Sequence, residues 1–408
     1  MNKIASVHID DFWGDKKVDL EFEDDVNFLI GVNGSGKTTI INLIAATLNA
    51  DFPTLDRFQF RKINIKLRDT DKPKGGQAFV EVEKTDKKTS PFPSIIFKVK
   101  SKTDQEPKRY LLDEIEEENL FRYPKDYVLH RFRKRQGKGE SDVNVALKEL
   151  VNISWLSIHR STSPYSRQEE RSFESTVDQK IDELSNNMLK YFSLLNRQSS
   201  AETEKFQQSI FLSLLTDESE REVFSFAASL NAAEEKESLR QIFNLFRLPE
   251  SRFSSKLDKH FNSFSNALEV IRKQESMTLN DFAFLIGTRR IHSVVQEWKQ
   301  LIEKQKSIYQ SRDIFLSVLN NLLQRKELFI NEKNELMVKT QSGKILSLVH
   351  LSSGEKQLII ILGESLLQLG TPCIYIADEP ELSLHVEWQE KLVPSLKSIN
   401  PNSQIIFA

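Results

Sequence analysis

Gly31-Val-Asn-Gly-Ser-Gly-Lys-Thr38 decides how this chain is read. It satisfies G-x-x-x-x-G-K-[ST] and sits between a short apolar stretch, Val26 to Ile30, and a segment whose apolar residues recur at helical spacing (Ile40, Ile41, Leu43, Ile44, Leu48). Strand, glycine-rich loop and helix in that order form a phosphate cradle. Gly31, Gly34 and Gly36 let the loop wind so that consecutive backbone N–H groups face one anion, and the helix N-terminus adds partial positive charge. The pattern predicts contacts from Asn33, Gly34, Ser35, Gly36, Lys37, Thr38 and Thr39. In it Lys37 reaches the β- and γ-phosphates and the Thr38 hydroxyl coordinates Mg²⁺.

Outward from that loop, the first thirty residues alternate apolar and polar as strands do, at Ile4 to Ile9 and Val18 to Phe22, with a turn at Trp13-Gly14-Asp15. Alternation returns over 55–130, notably at Phe58 to Leu67, Gln77 to Val82 and Ser94 to Val99, which predicts a small antiparallel sheet. From 166 to 325 the pattern becomes helical. Val177, Ile181, Leu184, Met188 and Leu195 form one seam, Leu257, Phe261, Phe264, Leu268 and Ile271 another, and Ile291 to Leu323 reads as one long helix. Strands reappear at Glu327 to Ile330, Leu336 to Thr340, Cys373 to Ala377 and Gln404 to Ala408, with helices at 356–369 and 386–397. The expected organisation is a first head segment at 1–165, a helical insertion at 166–325 and a closing head segment at 326–408.

The second chemical motif is Cys373-Ile-Tyr-Ile-Ala-Asp378-Glu379-Pro380. An apolar strand delivers two carboxylates to its C-terminal end, where open α/β sheets bind ligands. Asp378 is expected to hold Mg²⁺ through water, and Glu379 to act as general base on the attacking water. The third motif, Leu351-Ser-Ser-Gly-Glu-Lys-Gln357, opens a helix with two serines and a glycine. It reads either as a plain N-cap or as a second anion cradle that closes on a nucleotide held by another subunit.

Together the three motifs resemble the ATP-binding-cassette head of the SMC, RecF and OLD ATPases. The resemblance implies an α/β fold: a P-loop NTPase head, with a mixed sheet and an antiparallel β lobe, interrupted by a helical insertion. Lys37 matches its Walker A motif, 351–357 the signature, Asp378-Glu379 Walker B, and Glu381 to His385 the D-loop with Ser383 and His385. In that group two heads sandwich two ATP molecules. Carried over, Ser352, Ser353, Gly354 and Glu355 contact ATP in trans, with Mg²⁺ as the metal and a homodimer or higher oligomer as the working form. Membrane transporters place Walker A and signature much closer together than Lys37 and Ser352 stand here.

Within the group, Trp155-Leu-Ser-Ile-His-Arg160, LSSGEKQ and ADEPELSLHVEWQ are most similar to PtuA, the ATPases of Septu and retron-associated anti-phage systems. That resemblance implies an HNH nuclease subunit as partner, and in retron versions a reverse transcriptase with its msDNA. A RecF-type repair ATPase and an OLD-type ATPase with its nuclease beyond Ala408 are the alternatives. The group continues past Gln404-Ile-Ile-Phe-Ala408 into Thr-His-Ser, so the resemblance places a γ-phosphate-sensing histidine beyond Ala408 and leaves hydrolysis by this form open. Gln136 and Gln168 are the candidates for a further Mg²⁺-linked glutamine.

Composition narrows the remaining classes. Lys+Arg number 57 against Asp+Glu 59, so any basic footprint must be local. The local one is Arg131, Arg133, Lys134, Arg135 and Lys138, interleaved with Phe132, a candidate nucleic-acid contact or a solvated loop. His159-Arg160 reads either as facing the nucleotide or a partner, or as core or surface packing. The single cysteine, Cys373, excludes an internal disulfide and a cysteine zinc cluster and reads as packing. No set of His, Asp and Glu has nuclease-metal spacing. No apolar run approaches the roughly 20 residues of a membrane span and the N-terminus lacks a secretory pattern, so no membrane partner and a cytoplasmic location are expected.

Overall fold

A computed structural model describes residues 2–69, 77–85, 94–111, 142–156, 176–213, 231–273, 278–382 and 384–408. The chain forms two compact units, Met1–Leu189 with Ser311–Ala408, and Lys190–Gln310.

Among the described residues, the first unit holds three sheets. Strands β1 (Asn2–Phe12), β2 (Lys16–Glu21), β4 (Lys62–Asp69), β5 (Ala78–Thr85), β6 (Ser94–Lys100) and β7 (Lys108–Leu111) form an antiparallel sheet in the order β2-β1-β4-β5-β6-β7. Alternation gives it one apolar face, with Ile4, Val7, Ile9, Ile63, Ile65, Val80, Val82 and Phe97 all buried. The second sheet is parallel. It runs β3 (Val26–Phe28), β13 (Gln404–Phe407), β12 (Ile374–Ala377), β8 (Ile153–Leu156). Its central strands are buried at every position because both faces are covered, and apart from Gln404 they carry only apolar and aromatic side chains. Hairpin strands β9 (Lys326–Ile330), β10 (Leu336–Thr340) and β11 (Ile345–Ser347) make the third.

Gln404 joins the first two sheets. It is fully buried; its Oε1 accepts from Ile4 N–H and its Nε2 donates to the carbonyls of Ile4 and Glu23, each at 2.8 Å. Helix α1 (Lys37–Leu48) packs Ile41, Leu43, Ile44 and Leu48 into the same core as Ile374, Ile376 and Ile406. Short helices α2 (Phe52–Arg57) and α3 (Asp142–Leu150) complete this part, and neither is signalled by the alternation read from the sequence. Phe58 to Leu67, expected to alternate as a strand, is a sheet strand only from Lys62; helix α2, capped by Asp51 through Thr54 N–H, runs to Arg57, and Phe58, its C-cap, already has extended backbone.

Helix α8 (Ser353–Leu367) is buried on every side from Leu358 to Leu362, and Tyr375 Oη donates to its Ile361 carbonyl at 3.2 Å. Helix α9 (Val386–Ile399) is amphipathic. Cys373 is buried, as its packing role requires, and burial pushes its thiol up to about 11.

The second unit is helical, built from parts of α4 (Thr176–Ser213) and α7 (Leu279–Leu322) with α5 (Ala232–Leu245) and α6 (Glu250–Arg272). Phe206, Leu239, Ile242, Phe253, Leu257, Phe261, Val295 and Trp298 form its main core. Lys304 to Glu202, Gln305 to Thr203 and Tyr309 to Asn196 bond α7 to α4 in antiparallel register. The long helix starts at Leu279, twelve positions before the expected Ile291; no proline lies between them, and the one glycine, Gly287, costs a helix only about 1 kcal/mol. Among the described residues no helix is long and apolar enough to cross a membrane.

Candidate nucleotide site

The parallel sheet sets the site. Its four strands point the same way, so the segments following β3 and β12 leave one edge, the carboxyl edge where such sheets take ligands. After β3 the chain runs through 31–35, all exposed, and turns into α1 at Gly36. Gly34 and Gly36 adopt φ +80° and +97°, conformations that L side chains rarely take. Gly36 has a second constraint: a Cβ there would lie 2.9 Å from Phe12 Cζ and 3.1 Å from Trp13 Cη2. The Phe12 and Trp13 rings, stacked with centroids 4.7 Å apart, thus press the β1–β2 turn against the loop. The sequence shows that turn but not its contact.

Lys37 Nζ donates to the Gly31 carbonyl at 2.7 Å and more weakly to Val32 at 3.4 Å, closing the loop on itself. Thr38 Oγ1 donates to Asp378 Oδ1 at 3.0 Å. The structure therefore brings together the two groups expected at Mg²⁺, the Thr38 hydroxyl as ligand and the Asp378 carboxylate that holds the ion through water, and such oxygen donors fit that hard ion. Thr39 follows on the first turn of α1; Asn33 and Ser35 stand on the exposed loop.

Glu379 is exposed and has φ +46°, an uncommon conformation for a non-glycine residue and one that concentrates at functional turns. Its N–H donates to the Ala408 carbonyl at 2.8 Å, and Ala408 N–H to Ala377, so β13 carries the turn that presents the two carboxylates. Buried Gln357 donates from Nε2 to the Pro380 carbonyl at 3.0 Å, tying α8 to the same turn. His385, expected in the D-loop, caps α9 by accepting from Glu387 N–H.

At the start of α8, Ser352 and Ser353 are exposed, Gly354 is half-buried and Glu355 turns inward. Ser352 and Glu355 form a capping box, so the N-cap alternative describes the local geometry. Glu355 also pairs with Lys326 at 2.7 Å. Burial opposes its charge, but the ammonium and the Ser352 donors outweigh that and hold its carboxyl below the usual range. The next residue, Lys356, pairs with Asp178 at 2.5 Å. Consecutive residues of α8 therefore grip β9, which follows α7, and the first turn of α4. Lys326 and Asp178 carry no motif, and sequence reading missed both.

The basic run Arg131, Arg133, Lys134, Arg135 and Lys138, the glutamines Gln136 and Gln168, His159-Arg160 and the D-loop Ser383 lie outside the described residues.

A family model described as an AAA ATPase domain matches residues 2–408. No curated protein matches the chain. Among solved structures, the Smc head domain with an extended coiled coil bound to the C-terminal domain of ScpA, from Pyrococcus furiosus, is similar at 14% identity and TM-score 0.39, over 100% of this chain and 89% of that one. The Smc head domain with a coiled coil and joint from Pyrococcus yayanosii gives the same identity and TM-score, over 100% and 92% of the two chains. An Smc head bound to the C-terminal winged-helix domain of ScpA matches at 12% identity and TM-score 0.41, over 99% and 88%.

Proposed function

The chain belongs to the AAA ATPase domain family and is an ATPase; from that premise we propose that it is the nucleotide-gated regulatory subunit of an anti-phage defence complex. The observation that carries the nucleotide chemistry is the Thr38–Asp378 bond, which joins the phosphate loop to the acidic strand end. The defence role is supported by the PtuA-like text of 155–160, 351–357 and 377–389.

In this reading the backbone of 33–36 and the Lys37 ammonium hold the triphosphate, Lys37 exchanging the Gly31 carbonyl for phosphate oxygens. Thr38 and Asp378 hold Mg²⁺, which when bound neutralises charge on the β- and γ-phosphates. Glu379 accepts the proton of the attacking water. Ser352, Ser353 and Gly354 reach the terminal phosphate bound by a second copy, so that hydrolysis requires two heads, and Ser383 and His385 line the same junction. The closed pair presents the helical insertion, placed at 166–325, to an HNH nuclease and, in a retron setting, to reverse transcriptase and msDNA. A differential affinity of only a few kcal/mol between closed and open forms suffices to switch such a partner.

Mass spectrometry of the tagged chain purified from its native host tests this reading. A co-purifying HNH protein supports it. A chain recovered alone that binds DNA when ATP is added overturns the defence role in favour of a repair ATPase.

A further inference from the structure

Helix α6 turns one face into the second unit and shows the other to solvent. Phe253, Leu257, Phe261 and Phe264 are buried in its cores, which fixes the rotation of the helix. On the outward side Arg252, Lys256, Lys259, Ser263 and Asn266 follow one another at steps of four and three residues, all exposed, and make a straight stripe about 21 Å long. The only carboxylate between Arg252 and Asn266, that of Asp258, is taken by Lys236 of α5 at 2.6 Å. At the two ends Glu250 pairs with Arg240 at 3.7 Å and Glu269 with Lys273 at 3.4 Å. Arg252, Lys256 and Lys259 have no ion-pair partner among the described residues.

We infer that this face of α6 binds the phosphodiester backbone of a nucleic acid. Charge complementarity asks for a polyanion, and the composition of the stripe selects which kind. Protein interfaces centre on buried apolar or aromatic anchors, whereas every apolar side chain of α6 from Phe253 to Phe264 faces inward. Cations in line with serine and asparagine donors are the groups that contact phosphate oxygens. With no exposed aromatic in the stripe to stack on a base, recognition is of the backbone and independent of sequence. The stripe belongs to the second unit alone and requires neither ATP nor the roles given above to the nucleotide site.

The test is fluorescence anisotropy of the full chain, without nucleotide, on labelled duplex DNA, single-stranded DNA and single-stranded RNA of mixed sequence over 50–200 mM salt. Cations contacting three phosphates contribute about 2.7 to the salt slope on a duplex and about 2.1 on a single strand. Substituting Arg252→Gln, Lys256→Gln and Lys259→Gln together should remove that much slope and weaken binding at least about tenfold at 0.1 M salt, and the three polymers ranked by affinity tell duplex from strand and DNA from RNA. Lys190→Gln, Arg197→Gln and Lys306→Gln together take as much charge from exposed positions of α4 and α7, and should change affinity less than about threefold. Equal losses in the two triple variants would reduce the effect to overall charge and overturn the inference. So would no binding by the unsubstituted chain, or equal binding of polyglutamate of the same charge, which would make α6 a dock for acidic protein. Because no ATP is present, these outcomes are separate from the ATP-dependent DNA binding that would overturn the defence role.

Discussion

Thr38 Oγ1 donates to Asp378 Oδ1 across 340 positions of sequence, and the contact exists because β3 and β12 lie in one parallel sheet with β13 between them. Asp378→Asn keeps the acceptor but loses the charge. It should cut Mg²⁺-dependent ATP turnover by about a hundredfold while leaving nucleotide binding largely intact. A magnesium titration of hydrolysis and binding on the same variant separates the two effects.

The glycines of the loop should not be equivalent. Gly36→Ala meets both a left-handed backbone and the Phe12–Trp13 wall, and should cost about 2–3 kcal/mol and abolish nucleotide binding. Gly34→Ala meets the same backbone strain with open space around the added carbon, and should cost about 1 kcal/mol. Denaturant unfolding of the two variants gives the order directly; equal losses would contradict the contact at Gly36.

Lys356 is buried and pairs with Asp178, whose helix leads into the second unit. Asp178→Ala strands the ammonium and should destabilise the chain by about 2–4 kcal/mol. Replacing both by apolar residues should recover most of that loss, measured as a double-mutant cycle on unfolding free energy.

Acid sensitivity should centre on the antiparallel sheet. Burial alone would push the Glu81 carboxyl up, but hydrogen bonds from Lys62, Lys98 and Asn64 overcome it and hold the group at about 2, against 4.5 unperturbed. The folded value lies below the unfolded one, so this group stabilises the fold fully above about pH 4.5, and the contribution disappears as pH falls toward 2. Glu81→Gln should flatten the stability profile in that window and leave the slope near neutrality unchanged.

Much of the site was legible because its chemistry forces residue types at fixed spacing. A phosphate cradle needs glycines and Lys37 between strand and helix, and paired carboxylates must follow an apolar strand. Strands such as β1 and helices such as α7 announce themselves by period. What stayed hidden depends on contacts distant in sequence. Gln404 reads as an ordinary polar residue in a short strand, yet it ties two sheets together. Trp13 reads as a turn residue, and only the fold sets it against Gly36. Glu355 carries the ambiguity furthest. Its motif admits both a cap and a ligand, and the ion pair with Lys326 is what distinguishes its geometry.

The most direct test of the central claim is ATP turnover and bound nucleotide measured together on the unsubstituted chain and on Glu379→Gln. The assigned base predicts that the variant retains bound ATP while turnover falls at least about a hundredfold. Equal turnover by both proteins would contradict the role of Glu379 and move the chemistry away from the end of β12.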